Sequence, residues 1–164
     1  MARRRSVARP GHLLYIQAVP SAAHPYCRCL FYSSNALARA ATRVAEAAFA
    51  PTGLAPSSAY VLMTVLREPG TSPGRIAEVM MLDRSTVTRL VEGLEGRGLV
   101  KRQAHGRSVA VSPTPAGLAL KTALGACGRD ADARFRRLLG REASRLTADV
   151  FAAATAMEGG AAGR

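Results

Sequence analysis

Residues 71–95 read Thr71-Ser72-Pro73-Gly74-Arg75-Ile76-Ala77-Glu78-Val79-Met80-Met81-Leu82-Asp83-Arg84-Ser85-Thr86-Val87-Thr88-Arg89-Leu90-Val91-Glu92-Gly93-Leu94-Glu95. This is the pattern of two short helices around a tight turn. A hydroxyl cap followed by Pro73 in the first turn starts the first helix. Ile76, Val79 and Met80 give it one apolar face. Leu82-Asp83 makes the turn, and Asp83 caps the second helix, over residues 84–95. Val87, Leu90, Val91 and Leu94, at i, i+3, i+4 and i+7, form its buried face. At about 100° per residue, Ser85, Thr88, Arg89 and Glu92 point the opposite way. Gly96 and Gly98 end it.

Working downstream, residues 99–103 and 108–112 read as two strands, with residues 104–107 as the turn between them. Thr114-Pro115 caps a further helical region whose apolar stripe is Leu120, Leu124, Cys127, Ala131, Phe135 and Leu138. Gly140 breaks it, and residues 141–157 form a last amphipathic helix ahead of a frayed tail, residues 159–164. Upstream, residues 56–68 form a helix that is apolar nearly all round, the most buried in the chain. Residues 26–49 form a longer one, with Leu30, Ser34, Leu37, Ala41, Val44 and Ala48 in a narrow stripe suited to another long helix, including one from a second subunit. The fold class is mainly α: a winged helix-turn-helix with a small β-hairpin wing, flanked by N- and C-terminal helices.

Length and composition agree with one domain. The 164 residues are 48% hydrophobic but only 5% aromatic, so Ala, Val and Leu do the packing. The longest apolar runs fall far short of the roughly 20 residues that span a membrane. Basic residues number 23 against 11 acidic, a net charge of +12 that favours polyanionic partners. Residues 1–25 form a basic leader. Its Arg cluster and short apolar stretch faintly resemble a signal or transit peptide, but the stretch is interrupted by Gln17 and Pro20; the plainer reading is a disordered basic arm able to touch phosphates, or residues upstream of the true start. Three cysteines do not suggest a secreted disulfide scaffold, so the expected compartment is the cytoplasm. His24, Cys27 and Cys29 give a weak H-x2-C-x-C pattern without a fourth ligand, so neither a metal nor a cofactor is expected. No Ser-His-Asp set, paired carboxylates or phosphate loop is present, and an enzyme reading has nothing to build on.

Two helices and a hairpin in this order point to double-stranded DNA, with the second helix in the major groove. Arg89 can donate twice to guanine, and a Thr methyl can pack on thymine. Ser72 and Arg75 flank the first helix start. Arg102, His105 and Arg107 lie in the hairpin and can reach an adjacent groove or backbone. If Arg75, Arg84 and Arg102 each neutralise a phosphate in both subunits, log K falls with log salt with a slope near −5, roughly −0.9 per contact. The competing interpretation of these arginines is an ordinary solvated face, on a winged helix that binds protein rather than DNA.

The segments Asn35-Ala-Leu-Ala-Arg39, Phe49-Ala-Pro-Thr-Gly-Leu54, Leu82-Asp-Arg-Ser-Thr-Val-Thr-Arg89 and Leu94-Glu-Gly-Arg-Gly-Leu-Val100 resemble the MarR family of bacterial transcription regulators. The resemblance runs from about residue 27 to 157, within a MarR-like winged-helix domain over 26–158. It implies a homodimer, with a DNA-binding lobe over about 55–112 and dimerisation helices over about 26–49 and 114–157. It implies a repressor, less often an activator, on a near-palindromic operator. It sets Ser85, Thr86, Thr88 and Arg89 in the major groove and Arg84 near phosphates. The family wing carries Asp-x-Arg; here His105-Gly106-Arg107 keeps the Arg and lacks the acid, and Pro113 replaces the usual Leu before Thr-x-x-Gly. Family members release DNA on a small molecule or an oxidant. For a small phenolic or other aromatic ligand, the pocket candidates are Phe31, Tyr32, Asn35, Tyr60 and Met63, which as core or interface residues have a plainer explanation. For an oxidant, as in the peroxide-sensing branch, the candidates are Cys27 or Cys29 with Cys127, although Cys127 lies on an apolar stripe where a Cys usually packs.

Overall fold

The structure, a computed structural model, describes residues 25–105 and 108–161. It falls into two compact units, one ending at Ala40 and the other running from Ala41. Helix α1, Leu30–Phe49, passes from one to the other. It begins at Leu30 rather than at residue 26. Residues 25–28 form a turn, in which the Cys29 N–H donates to the Tyr26 carbonyl at 2.9 Å, so the chain closes a short loop before the helix starts. Cys27 and Cys29 therefore precede the helix. Of the expected stripe, Leu30, Ser34 and Leu37 are exposed, Ala41 and Val44 are half-buried, and Ala48 is buried.

The second unit is built on α2, Pro56–Arg67. Pro56 sits in its first turn, where a missing N–H costs nothing. Ala59, Val61, Leu62, Thr64 and Val65 are buried, more than in any other helix here, as expected. Tyr60 nonetheless reaches solvent, with its ring 5.4 Å from that of Phe49. Around α2 pack α3 (Pro73–Met80), α4 (Arg84–Gly96), the strand β2 (Ser108–Pro113) and α6 (Lys121–Leu139). The core they enclose centres on Phe49, Leu62, Ile76, Val87, Leu94 and Leu124. Val79 is the exception on α3: it is exposed, because the short helix presents only Ile76 and Ala77 squarely to α2.

Strand β1, Val100–His105, pairs antiparallel with β2 in the register Val100↔Pro113 to His105↔Ser108. The strands thus run further than the sequence suggests, with residues 104 and 105 of the expected turn in β1; residues 106 and 107 lie outside the described residues. Thr71 adds a bridge to Val111, with the Val111 N–H donating to the Thr71 carbonyl at 2.8 Å. This ties the start of the helix-turn-helix to the wing. After β2 comes a short helix α5, Pro115–Ala119, capped by the Thr114 hydroxyl, which accepts from the Gly117 N–H at 3.1 Å. Leu120 separates it from α6, whose Leu124, Cys127 and Ala131 are buried while Leu138 is exposed near its end. A 3-10 turn at Gly140–Glu142 leads to α7, Ala143–Ala161, which runs past residue 157 into the expected tail. Among the described residues no single helix is long and apolar enough to cross a membrane.

Candidate nucleic-acid interface

Helix α4 is seated by Val87, Val91 and Leu94, all buried, which turns Ser85, Thr88, Arg89 and Glu92 to solvent. The turn before it is tight. Met81, the last residue of the α3 side, has φ 51°, a left-handed conformation that costs a side-chain-bearing residue about 1–2 kcal/mol. Its N–H closes back on Glu78, and Leu82 follows with a bond to the Ala77 carbonyl at 3.0 Å. The Ser72 hydroxyl does local work, accepting from the Arg75 N–H at 3.1 Å as the cap of α3.

Asp83 organises the start of α4. Its Oδ1 accepts from the Ser85 hydroxyl and from the Thr86 N–H at 3.2 Å, and its Oδ2 accepts from the Thr86 hydroxyl at 3.0 Å. These bonds, the one from Ser85 foremost, lower the Asp83 carboxyl from 3.8 to about 2. A pKa depressed by folding stabilises the folded chain above about 3.8, and that contribution fades as pH falls through about 2. Asp83→Ala is therefore expected to lower the melting temperature at neutral pH. The gap from the wild type should narrow as pH falls from about 4 to about 2, read by circular dichroism melts across that range.

Further along α4, the Thr88 hydroxyl donates to the Arg84 carbonyl at 2.8 Å, and among the described residues Arg89 reaches only the Thr86 hydroxyl, at 3.4 Å. Arg84 lies near Gly74, on α3, and makes no ion pair among the described residues. The other two expected phosphate ligands are engaged within the chain. Arg75 pairs with Glu68 and Glu78, each at 3.4 Å, and the hydrogen bond it donates to Glu68 is the foremost cause that raises its pKa. Arg102 pairs with Glu95 at 2.7 Å and Glu92 at 3.3 Å. Sequence reasoning did not single out Glu95 or Arg97. The Arg97 guanidinium donates to the Gly53 carbonyl at 2.8 Å, 44 positions away, and no local pattern announces such a contact. The His105 backbone closes β1; its side chain and Arg107 lie outside the described residues.

Of the expected ligand-pocket residues, Phe31, Tyr32 and Asn35 belong to the first unit and Tyr60 and Met63 to the second. Phe31 is 79% exposed, and Tyr32, Asn35 and Tyr60 are also on the surface. Asn35 donates to the Phe31 carbonyl at 2.8 Å, one turn back on its own helix. Met63 alone lines a groove, of about 370 Å³, with Leu66, Arg67, Lys121 and Gly125. The Arg129 guanidinium also lies over Gly125. Among the described residues none of these three cations has an ion-pair partner. All three cysteines are free: Cys27 and Cys29 exposed, Cys127 buried in the core of the second unit.

A helix-turn-helix backed by a β-hairpin, with the second helix presenting a polar face, defines the winged helix-turn-helix class. Residues 52–108 match the MarR family model. No curated protein matches the chain. Among solved structures, the M. tuberculosis transcriptional regulator MosR superposes with TM-score 0.71 at 21% identity, over 82% of this chain and 98% of that one. CouR from Rhodococcus jostii RHA1, bound to p-coumaroyl-CoA, does so with TM-score 0.62 at 25% identity, over 74% of this chain and 87% of that one. The transcriptional repressor CouR bound to a 23-mer DNA duplex gives TM-score 0.66 at 24% identity, over 77% and 92%.

Proposed function

We propose that the chain is a cytoplasmic, dimeric transcription regulator, a repressor that binds a near-palindromic operator and releases it when a small molecule binds. The observation that carries this is α4: its apolar side is sealed in the core while Ser85, Thr88 and Arg89 face outward, the side a recognition helix turns to a major groove. Dimerisation through residues 26–49 and 114–157 is supported by large apolar side chains left exposed on α1 and α7, Leu30, Leu37, Val150, Phe151 and Met157 among them. CouR, of this fold, has been seen on a DNA duplex and with p-coumaroyl-CoA, an aromatic acyl thioester. For the effector, the groove at Met63 favours an anionic molecule with an apolar part, since two of its linings are apolar and its cations are unpaired. Burial of Cys127 in the core weighs against an oxidant.

A mobility-shift titration against the DNA upstream of the chain's own coding region, repeated at rising salt, tests the reading. Binding should weaken with a slope between about −2, from Arg84 of both subunits, and about −5, with all six expected contacts engaged, at roughly −0.9 per contact. No shift at low salt would favour a winged helix that binds protein.

A further inference from the structure

Arg102 has partners that a phosphate ligand would not need. Its main-chain N–H donates to Glu95 Oε1 at 3.0 Å, and its Nε donates to Glu95 Oε2 at 2.7 Å. One residue thus grips both oxygens of one carboxylate. Another guanidinium nitrogen reaches Glu92 Oε1 at 3.3 Å. Glu92 and Glu95 belong to α4, Arg102 to the third position of β1. The clasp therefore spans the bend between the helix and the wing. One cation among two carboxylates leaves a net charge of −1, which repels a phosphate rather than attracting it. The planar guanidinium fork also holds direction as well as distance, which an ammonium does not.

We propose that Arg102 is a positioning residue, anchored by Glu95, which sets the angle between the wing and α4 so that both engage one duplex. The proposal rests on the DNA-binding reading. Exposed ion pairs add little to overall stability. The cost of breaking this one falls instead on the alignment of two elements that must dock together.

The test is a mobility-shift series at several salt concentrations with the wild type, Arg102→Ala, Arg102→Lys and Glu95→Gln. Arg102→Ala and Glu95→Gln are each expected to weaken binding on the order of tenfold, about what one charge-assisted hydrogen bond is worth. Their salt slope should equal that of the wild type, and Arg102→Lys should recover little. Two results would overturn the proposal. One is a slope in Arg102→Ala shallower by about 1.8 per dimer, the mark of a lost phosphate contact in each subunit. The other is Glu95→Gln binding as tightly as the wild type or tighter, the mark of a carboxylate that merely masks Arg102. If Arg102→Ala fails to fold by circular dichroism, the nearly isosteric Glu95→Gln carries the test with the same outcomes. A wild-type chain that shifts no duplex removes the DNA-binding reading and this proposal with it.

Discussion

Gly117→Ala is expected to destabilise the chain by about 3 kcal/mol, the upper end of the range for overpacking. In a thermal melt that is a fall of roughly 6–12 °C for a chain of this size. A Cβ built on Gly117 overlaps the Leu99 carbonyl oxygen and stands 3.1 Å from the Leu99 carbonyl carbon. The obstacle is backbone, so no rotamer change relieves it. Nor can Leu99 retreat freely, since its carbonyl accepts the Thr114 N–H at 3.1 Å. The Thr114 hydroxyl meanwhile donates to the Gly98 carbonyl at 2.6 Å and caps α5. Pushing α5 outward therefore strains the junction where the wing returns to the core. Gly93 supplies the control. It lies inside α4 with nothing near its missing Cβ, so Gly93→Ala should stabilise by up to about 1 kcal/mol through helix propensity. Equal losses at both positions would show that the close approach at Leu99 does not matter.

Arg89→Ala should weaken operator binding by about 1–3 kcal/mol, a factor of roughly 5 to 150, and relax the preference for guanine at one position in each half-site. The side chain is exposed and its only described partner is the Thr86 hydroxyl at 3.4 Å. Removing it should therefore change the melting temperature little. Arg89→Lys should not restore the preference, because an ammonium cannot make the paired bonds of a guanidinium to O6 and N7. The measurement is a titration against operator variants changed at single base pairs. A variant protein that keeps the full guanine preference would mean that Arg89 does not read a base.

What could be read along the chain was local. Ser72-Pro73, Asp83 and Thr114-Pro115 each announce a helix start, because a cap and its target N–H lie within three residues. The inward face of α4 followed from its spacing for the same reason. What was not legible depended on contacts between different elements. Arg75 and Arg102 look like free cations until Glu68 and Glu95, seven positions back on other elements, come within reach. Thr71 meets Val111 only once the wing has folded back. Gly117 sits inside a short helix where nothing local requires a glycine, and only the approach of Leu99 explains it. The exposure of Phe31, Tyr32 and Tyr60 could not be read from spacing on one helix.

The bonds at the start of α4 give that surface a chemical polarity. The hydroxyl hydrogens of Ser85 and Thr86 are committed to Asp83, and that of Thr88 to the Arg84 carbonyl. An oxygen whose hydrogen is already engaged offers only lone pairs. Such a helix would greet a groove as an acceptor, suited to the exocyclic amino groups of adenine and cytosine, with proton donation left to the guanidinium groups of Arg84 and Arg89.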